Sequence, residues 1–488
     1  LSKKARCWIL WSISKIWRQF VKSAVSFVNI SRNIGGLGLE ESVKVNPLAT
    51  EKIERLILKF SIPAIISMLV SSLYNIVDQI FGQGVGLLGN AATNIAFPIT
   101  IICTATALLL GIGSASKFNL SSGAGEQECA CRYAGTGLAM LMLCGVTIAV
   151  IVLLFLDPLL HVFGVTKDVL PYAQDYTGIT AFGIPFLILT TGGNHLIRAD
   201  RSPTYSMTCM LTGAIINTIL DPLFIFGFHW SVAGAAGASL ISRMIACFIL
   251  MWRLRDPKLD IRIGTTKGVN MRMIKQILHI GIPNGIENSI FQLGRVLTVS
   301  IIAMFGTTQI AANAIANNLD SMGVLPGTAM CLAIITVVGR CVGAGDFEQA
   351  EYYAKKMMKL TYVINGICCL VVILTMPVTL RLYGVSGETR HLGAVLALIH
   401  NGCAIFLWPA GFCLPNVMRA ANDVKFPMCV SIASMFIFRI GLSYVTGVAM
   451  GLGAIGVWIA MIIDWIVRIS FFVTRFFSGK WKTFYHGE

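Results

Sequence analysis

Long uncharged apolar stretches constrain this sequence more than any other feature. Four of them occupy residues 133–156, 202–220, 296–319 and 391–418, and each reaches the roughly 20 residues that cross a bilayer core as a helix. Only 12% of the residues are charged, whereas a soluble chain carries about a quarter. None of the stretches alternates like the strands of a membrane barrel. We therefore predict an all-α integral membrane protein.

Apolar runs between charged or Gly/Pro-rich breaks predict twelve transmembrane helices. The predicted spans are 57–80, 91–116, 133–156, 170–192, 203–226, 234–252, 277–304, 310–338, 358–378, 392–416, 426–449 and 453–474. Lys and Arg concentrate in alternate connections, and the linker after residue 252 is especially basic. Because positive loops face the cytoplasm, we expect a multi-pass protein of the plasma membrane with both termini cytoplasmic.

The second half of the sequence matches the first at one constant offset. Gly123-Ala124-Gly125-Glu126 aligns with Gly343-Ala344-Gly345-Asp346, and Ile62-Pro63 aligns with Ile282-Pro283. Six spans per repeat is an even number, so both repeats enter the membrane from the same side. The fold prediction is therefore two six-helix parallel repeats around a central cavity, in which lobes can rock about a site between them.

The repeat also divides the chain into predicted parts. Residues 51–255 and 277–475 form the two lobes, 256–276 a basic cytoplasmic linker and 476–488 a cytoplasmic tail. Residues 1–50 form a basic extension that is either an amphipathic helix on the membrane surface or a disordered segment. The formal net charge of +15 lies mainly in loops, so we interpret it as an orientation signal and expect no nucleic-acid partner.

Other chemistries lack their sequence signals. There is no G-x-x-x-x-G-K-[ST] loop for ATP, and the seven histidines show no metal-ligand spacing with acids on adjacent turns. We expect neither an enzyme nor a cofactor beyond a coupling ion. The fourteen cysteines are scattered through apolar stretches, where we expect small hydrophobic side chains without disulfides.

Acids at bilayer depth cost at least about 2.5 kcal/mol on insertion scales and are the candidate functional residues. Asn217 and Asp221 lie four residues apart on one helix face, so an amide oxygen and a carboxylate can converge on Na⁺ or share a proton. Alternatively, Asp221 bonds a backbone group freed by Pro222. Asp78 is a second candidate, or is simply wetted at its helix end. Two carboxylates brought together would favour proton uptake as well as cation binding.

Three further acids have other interpretations. Glu287 is a second proton site, a contact for cationic substrates, or the partner of Arg295 two turns later. Asp464 and Arg468 are one turn apart, which together with Arg439 suggests structural pairing. Asp320 receives no role.

Four stretches of the sequence resemble the multidrug and toxic compound extrusion (MATE) family over residues 51–475. They are Tyr74-Asn75-Ile76-Val77-Asp78 with Phe81-Gly82, Leu88 to Ala96, Asn217 to Phe226, and Gly234-Ala235-Ala236-Gly237-Ala238. The resemblance is to the branch with an Asn-x-x-x-Asp pattern. It implies an antiporter in which Na⁺ or H⁺ enters while cationic or amphipathic small molecules leave.

On that resemblance, Asp78, Asn217, Asp221 and Ser242 would form the cation site, with Asp78, Asn217 and Asp221 as the metal (Na⁺) ligands. Ser242 stands where the family often has Thr. Gly82 follows Asp78 one residue sooner than the family pattern, and Glu287 resembles the seventh-span acid of another branch. The expected partners are small-molecule substrates and membrane lipid, and we expect a monomer.

Two other transporter classes share parts of this pattern. A major-facilitator protein also has two six-helix halves, but its G-x-x-x-D-R-x-G-R-R loop is absent between spans two and three. A lipid-linked saccharide flippase of the same superfamily is the alternative function. Such a flippase would line its cavity with basic groups for pyrophosphate.

Overall fold

The structure is a computed structural model that describes residues 62–63, 66, 87–200, 203–256, 259, 261, 270–382 and 387–485. Several predictions fall outside these residues: the extension at 1–50, most of the first span at 57–80, Asp78, and most of the linker at 256–276. The predicted division into lobes, linker and tail stays a prediction.

Every described element is helical. The α-helices are α1 (Leu87–Gly123), α2 (Gln127–Leu154), α3 (Leu156–Val162), α4 (Leu170–Ala199), α5 (Pro203–Pro222), α6 (Ser231–Arg253), α7 (Met271–Ala303), α8 (Thr307–Gly343), α9 (Phe347–Leu382), α10 (Gly387–Trp408), α11 (Leu414–Ala420), α12 (Lys425–Ser434) and α13 (Gly453–Phe477). π-helical segments occupy Leu223–Gly227, Pro409–Cys413, Met435–Gly441 and Tyr444–Ala449, and a 3₁₀ turn occupies Lys480–Phe484.

Nine helices in the described part of the chain are long and apolar enough to span a bilayer. Helices α4 and α7 also coincide with predicted spans, 170–192 and 277–304, and run for 30 and 33 residues. Neither is among the nine, in keeping with the polar side chains that interrupt both of them. Since the first predicted span lies mostly outside the described residues, the count of twelve stays a prediction.

The helix surfaces have the polarity that a membrane requires. Large apolar side chains such as Leu154, Phe248 and Phe406 are exposed, whereas polar groups bond internally. Thr212, for example, donates to the Thr208 carbonyl at 2.8 Å. In lipid no water satisfies a hydroxyl, so this bond to the preceding turn lets a helix carry Thr and Ser.

The helices of the second half recur in the register of the sequence repeat. Helices α1 and α8 end at the aligned positions Gly123 and Gly343. Helices α2 and α9 begin at Gln127 and Phe347, which are aligned at the same offset. The last helices of the two halves, α6 and α13, nearly keep this offset in their starts. The bounds of these helices therefore agree with the sequence repeat.

Helices α1 and α8 touch backbone to backbone at their ends. A Cβ at Gly343 would lie 2.1 Å from the Leu120 carbonyl oxygen, and one at Gly123 would lie 2.2 Å from that of Arg340. Only glycine permits so close an approach. Beside the crossing, the buried Arg340 donates to the Ala199 carbonyl oxygen at 2.6 Å, which ties α8 to the end of α4.

Candidate cation site

Helix α5 presents Asn217 and Asp221 on one face. The Asn217 Nδ2 donates to Asp221 Oδ1 at 3.3 Å, and each residue is only 1% exposed. After Pro222 the chain widens into the π-helical segment Leu223–Gly227. Proline lacks the amide hydrogen that would bond the preceding turn, and single π turns are frequent at functional sites.

Helix α6 brings two serines to the same place. Asn217 Nδ2 lies 3.5 Å from Ser239 Oγ, and the Ser242 hydroxyl donates to the Ser239 carbonyl oxygen at 3.0 Å. The approach depends on Gly234, where a Cβ would lie 2.9 Å from the Phe224 carbonyl group. The glycine thus lets the start of α6 pack directly on the π segment that follows Asp221.

Sequence reasoning selected Ser242 and missed Ser239, although the two are three residues apart and therefore share a face of α6. The structure brings Asn217, Asp221 and Ser239 together, with Ser242 one contact away, and Asp78 lies outside the described residues. Their role as a cation site stays a prediction.

The donor set consists of hard oxygen atoms. Asn217 Oδ1 is buried and accepts no hydrogen bond from any described residue, which is costly unless a cation or a donor occupies that side. Among the described residues, no three His, Cys, Asp or Glu side chains gather as metal ligands. A cation here would rest on one carboxylate with amide and hydroxyl oxygens, a set that suits a hard ion better than a transition metal.

Glu287 in α7 lies in a different part of the fold. Both of its carboxylate oxygens accept from Arg419 Nη2 at 2.6 Å, and Arg419 Nη1 also donates to Asn416 at 2.6 Å. The alternative that paired Glu287 with Arg295 is therefore wrong. Helical spacing gave Arg295 as a neighbour, but Arg419 arrives from α11 and offers a closer bond.

Asp464 and Arg468 pair within α13, as their spacing predicts. Arg468 Nε lies 2.9 Å from Asp464 Oδ1, and both side chains are buried. The Ser434 hydroxyl bonds the same carboxylate oxygen. Arg439 instead contacts the Met461 sulfur at 3.0 Å and lies over the Phe291 ring, so the predicted pairing holds directly for Asp464 and Arg468.

One protein-family model, MatE, matches residues 63–223 and again residues 283–445. Together these two segments cover well over half of the chain. The chain belongs to the MatE (MATE) family. The two matches begin at positions 63 and 283, which are the aligned prolines of the sequence repeat.

Curated relatives of this MATE chain are similar along much of its length. It is 23% identical to "Probable multidrug resistance protein YoeA" of Bacillus subtilis, over 89% of this chain and 97% of that protein. It is 25% identical to "Probable multidrug resistance protein NorM" of Thermotoga maritima, over 67% of this chain and 71% of that protein. The chain is thus related to proteins whose names refer to multidrug resistance.

Solved structures agree on the fold. A structure described as the outward-facing conformation of a multidrug resistance MATE family transporter superimposes with a TM-score of 0.83. The match covers 90% of this chain and 100% of that chain at 24% identity. The MATE chain therefore has the family's multi-pass helical fold.

A polar cluster in the second half of this MATE chain was not predicted. Asp320 of α8, which received no role from the sequence, meets His400 and Asn401 of α10. The available signal was the presence of His400 and Asn401 inside an otherwise apolar stretch. Spacing could not join them to Asp320, because the two helices are far apart in sequence.

Proposed function

We propose that this MATE chain is a secondary active multidrug efflux antiporter. It exchanges Na⁺ or H⁺ for cationic or amphipathic small molecules by alternating access. The observation that carries the proposal is the buried Asn217–Asp221 pair with the open acceptor Asn217 Oδ1. A transporter that buries a carboxylate beside an unsatisfied amide oxygen has the groups that bind and release a small cation.

The repeated helix bounds support the transport architecture. Twelve helices in two parallel six-helix repeats would enclose a central cavity, and rocking of the two halves would expose it alternately to each side. We place the protein in the plasma membrane as a monomer with both termini cytoplasmic. Small-molecule substrates and lipid are its partners.

The coupling ion binds in the first half in this proposal. Asp78, Asn217, Asp221 and Ser242 form the cation site of the Asn-x-x-x-Asp branch, and Glu287 contributes a contact for substrate or proton. Deprotonated Asp221 supplies the negative charge that a cation neutralises, so ion entry removes the cost of a buried carboxylate. The names of the relatives favour drug export over the lipid-linked saccharide flippase.

The test measures efflux of a cationic dye from vesicles that contain purified protein, under separately imposed Na⁺ and H⁺ gradients. Asp221→Asn removes the charge and keeps the shape, and losing one charged contact costs about 1.5–3 kcal/mol. We expect the apparent affinity for the coupling ion to fall about 10- to 100-fold. The matched control is Asp168→Asn, an exposed acid outside the helices. Undiminished ion-driven efflux by Asp221→Asn would overturn the coupling role.

A further inference from the structure

A carboxyl group and an imidazole meet in the interior of the second half. Asp320 Oδ1 lies 3.2 Å from His400 Nδ1, and each side chain is only 8% exposed. Asn401 Nδ2 donates to the same carboxylate oxygen at 3.0 Å. Two side chains of α10 therefore approach one carboxylate oxygen of α8, Asn401 through a hydrogen bond and His400 through a close contact that lacks hydrogen-bond geometry.

Aromatic rings of α13 pack against His400. The His400 ring centroid lies 4.9 Å from that of Trp465 and 5.7 Å from that of Trp458, both edge to face. The Trp458 indole nitrogen is directed elsewhere, to Asn313 Oδ1 at 3.0 Å. The indoles thus exclude solvent from His400 without bonding its ring nitrogens.

Few other titratable groups face Asp320. Helix α9 presents the Cys369 thiol, which together with Asn401 lies against the position of Gly323. Helix α13 presents indoles, and its Asp464 is bonded to Arg468. Among the described residues, His400 is the basic side chain within ion-pair distance of Asp320.

This isolation determines the charge that the pair can carry. With the imidazole neutral and the carboxylate ionised, the cluster would bury one uncompensated negative charge, which is strongly unfavourable in a low-dielectric interior. One added proton, on either partner, makes the cluster neutral overall. The pair is therefore stable while enclosed only if it holds that proton, and it can release the proton only where water reaches it.

The first half shows that the fold does not need a charged pair at this level. At the offset of 220 residues, Thr100 stands where the second half has Asp320, and Thr180 stands where it has His400. These two threonines line a small cavity together with residues of α2 and α6, among them Arg243. Neutral hydroxyl side chains therefore occupy those positions in the first half. The fold therefore does not require a carboxyl group and an imidazole at these positions. Their presence in the second half calls for a chemical explanation.

We propose that Asp320 and His400 form a proton-binding site in the second half, loaded when enclosed and emptied to water during the transport cycle. The inference rests on the proposed antiport and deepens it. It assigns proton coupling to Asp320 and His400, separately from cation binding at Asn217 and Asp221. The proton passes between the pair and bulk water, with no other group transferred.

The transport test uses vesicles that contain the full chain and compares pH-driven with Na⁺-driven dye efflux. Asp320→Asn and His400→Gln should reduce the pH-driven component to the level of protein-free vesicles. The double variant Asp320→Thr/His400→Thr, which copies the first half, should behave in the same way. Glu388→Gln, at an exposed acid at the start of α10, should not change it. Full pH-driven efflux in a folded Asp320→Asn protein would overturn the proposal.

A second measurement does not depend on transport. Infrared difference spectra of the unchanged protein between acid and alkaline pH should contain a protonated-carboxyl band that is missing from Asp320→Asn and shifted by His400→Gln. Identical bands in all three proteins would reject the proton site even if antiport is established. If ion-driven efflux is absent while the band is found, the proposed function fails and the proton site remains.

Discussion

Glu287 and Arg419 stand far apart in the sequence and meet through both carboxylate oxygens at 2.6 Å. Burial raises the cost of separating them, because each charge has given up its water. Attraction between the partners offsets that cost only while both are present. Replacing one residue of the pair should therefore destabilise the protein more than replacing both.

Arg419→Gln is expected to destabilise the protein by about 3 kcal/mol, because it leaves the Glu287 carboxylate buried and unpaired. The double variant Glu287→Gln/Arg419→Gln should recover much of this loss, since neither charge remains. Thermal unfolding in detergent, followed by the loss of monodisperse protein, measures both.

The control for this prediction is an exposed ion pair on α2. Arg132 and Glu128 are also 2.6 Å apart, but their side chains are 48% and 72% exposed. Arg132→Gln should change stability by less than about 1 kcal/mol. Equal destabilisation by Arg132→Gln and Arg419→Gln would contradict the assignment of the larger cost to burial.

Helix packing in this chain depends on where side chains are missing. At the crossing of α1 and α8, Gly123 and Gly343 each face a backbone carbonyl at a distance that no Cβ tolerates. Backbone cannot move aside as a flexible side chain can, so an added methyl group must separate the helices. Gly402 in α10 has no atom within 4 Å of an added Cβ.

Gly343→Ala should therefore lower the unfolding free energy by about 1–3 kcal/mol, whereas Gly402→Ala should be neutral or stabilising by up to about 1 kcal/mol. Both substitutions add one methyl group to a helical glycine, and they differ in what that methyl group meets. Thermal unfolding of the two variants in one detergent measures the difference. A Gly343→Ala protein as stable as Gly402→Ala would show that the helices can separate without cost.

At the scale of the molecule, the parallel repeat makes a prediction about sidedness. Glu128 and Glu348 are exposed and occupy aligned positions of the two repeats, so they should lie on the same, cytoplasmic, side of the membrane. Asp168 and Thr307 are exposed in or beside connections that are predicted to face outward. An inverted repeat would instead place positions 128 and 348 on opposite sides.

The measurement uses Glu128→Cys, Glu348→Cys, Asp168→Cys and Thr307→Cys, each in a background without reactive native cysteines. A membrane-impermeant maleimide added to intact cells should label positions 168 and 307, and added to everted vesicles it should label 128 and 348. Labelling of positions 128 and 348 from opposite sides would rule out the parallel arrangement.

The sequence predicts most of the helical layout because lipid requires long apolar helices, and a hydropathy pattern records that requirement directly. The predicted spans include α4 and α7, although polar residues reduce the apolar character of both helices. The π segments after Pro222 and within 435–449 were not predicted. Local bonding in a helix shifts by one residue for reasons of packing that periodicity does not carry.

Within the candidate sites, the predictable contacts are those made along one helix. Asn217 with Asp221, and Asp464 with Arg468, follow from a spacing of four. Contacts between helices do not follow from any spacing, and so Arg419 was missed as the partner of Glu287, and His400 as the partner of Asp320. A contact between two residues can be predicted from their spacing in the sequence only when both lie on the same helix.

The glycine crossing between α1 and α8 has a mechanical consequence. Each helix has 37 residues and therefore extends about 55 Å, and the contact lies at one end of both. If one helix tilts about this contact, its opposite end moves farthest because the whole helix length lies between them. A tilt of about 10° would displace that end by about 10 Å. Such a tilt would have to keep or break the side-chain contacts beside the crossing, where the Arg340 guanidinium lies over the Phe118 ring and bonds the Ala199 carbonyl oxygen.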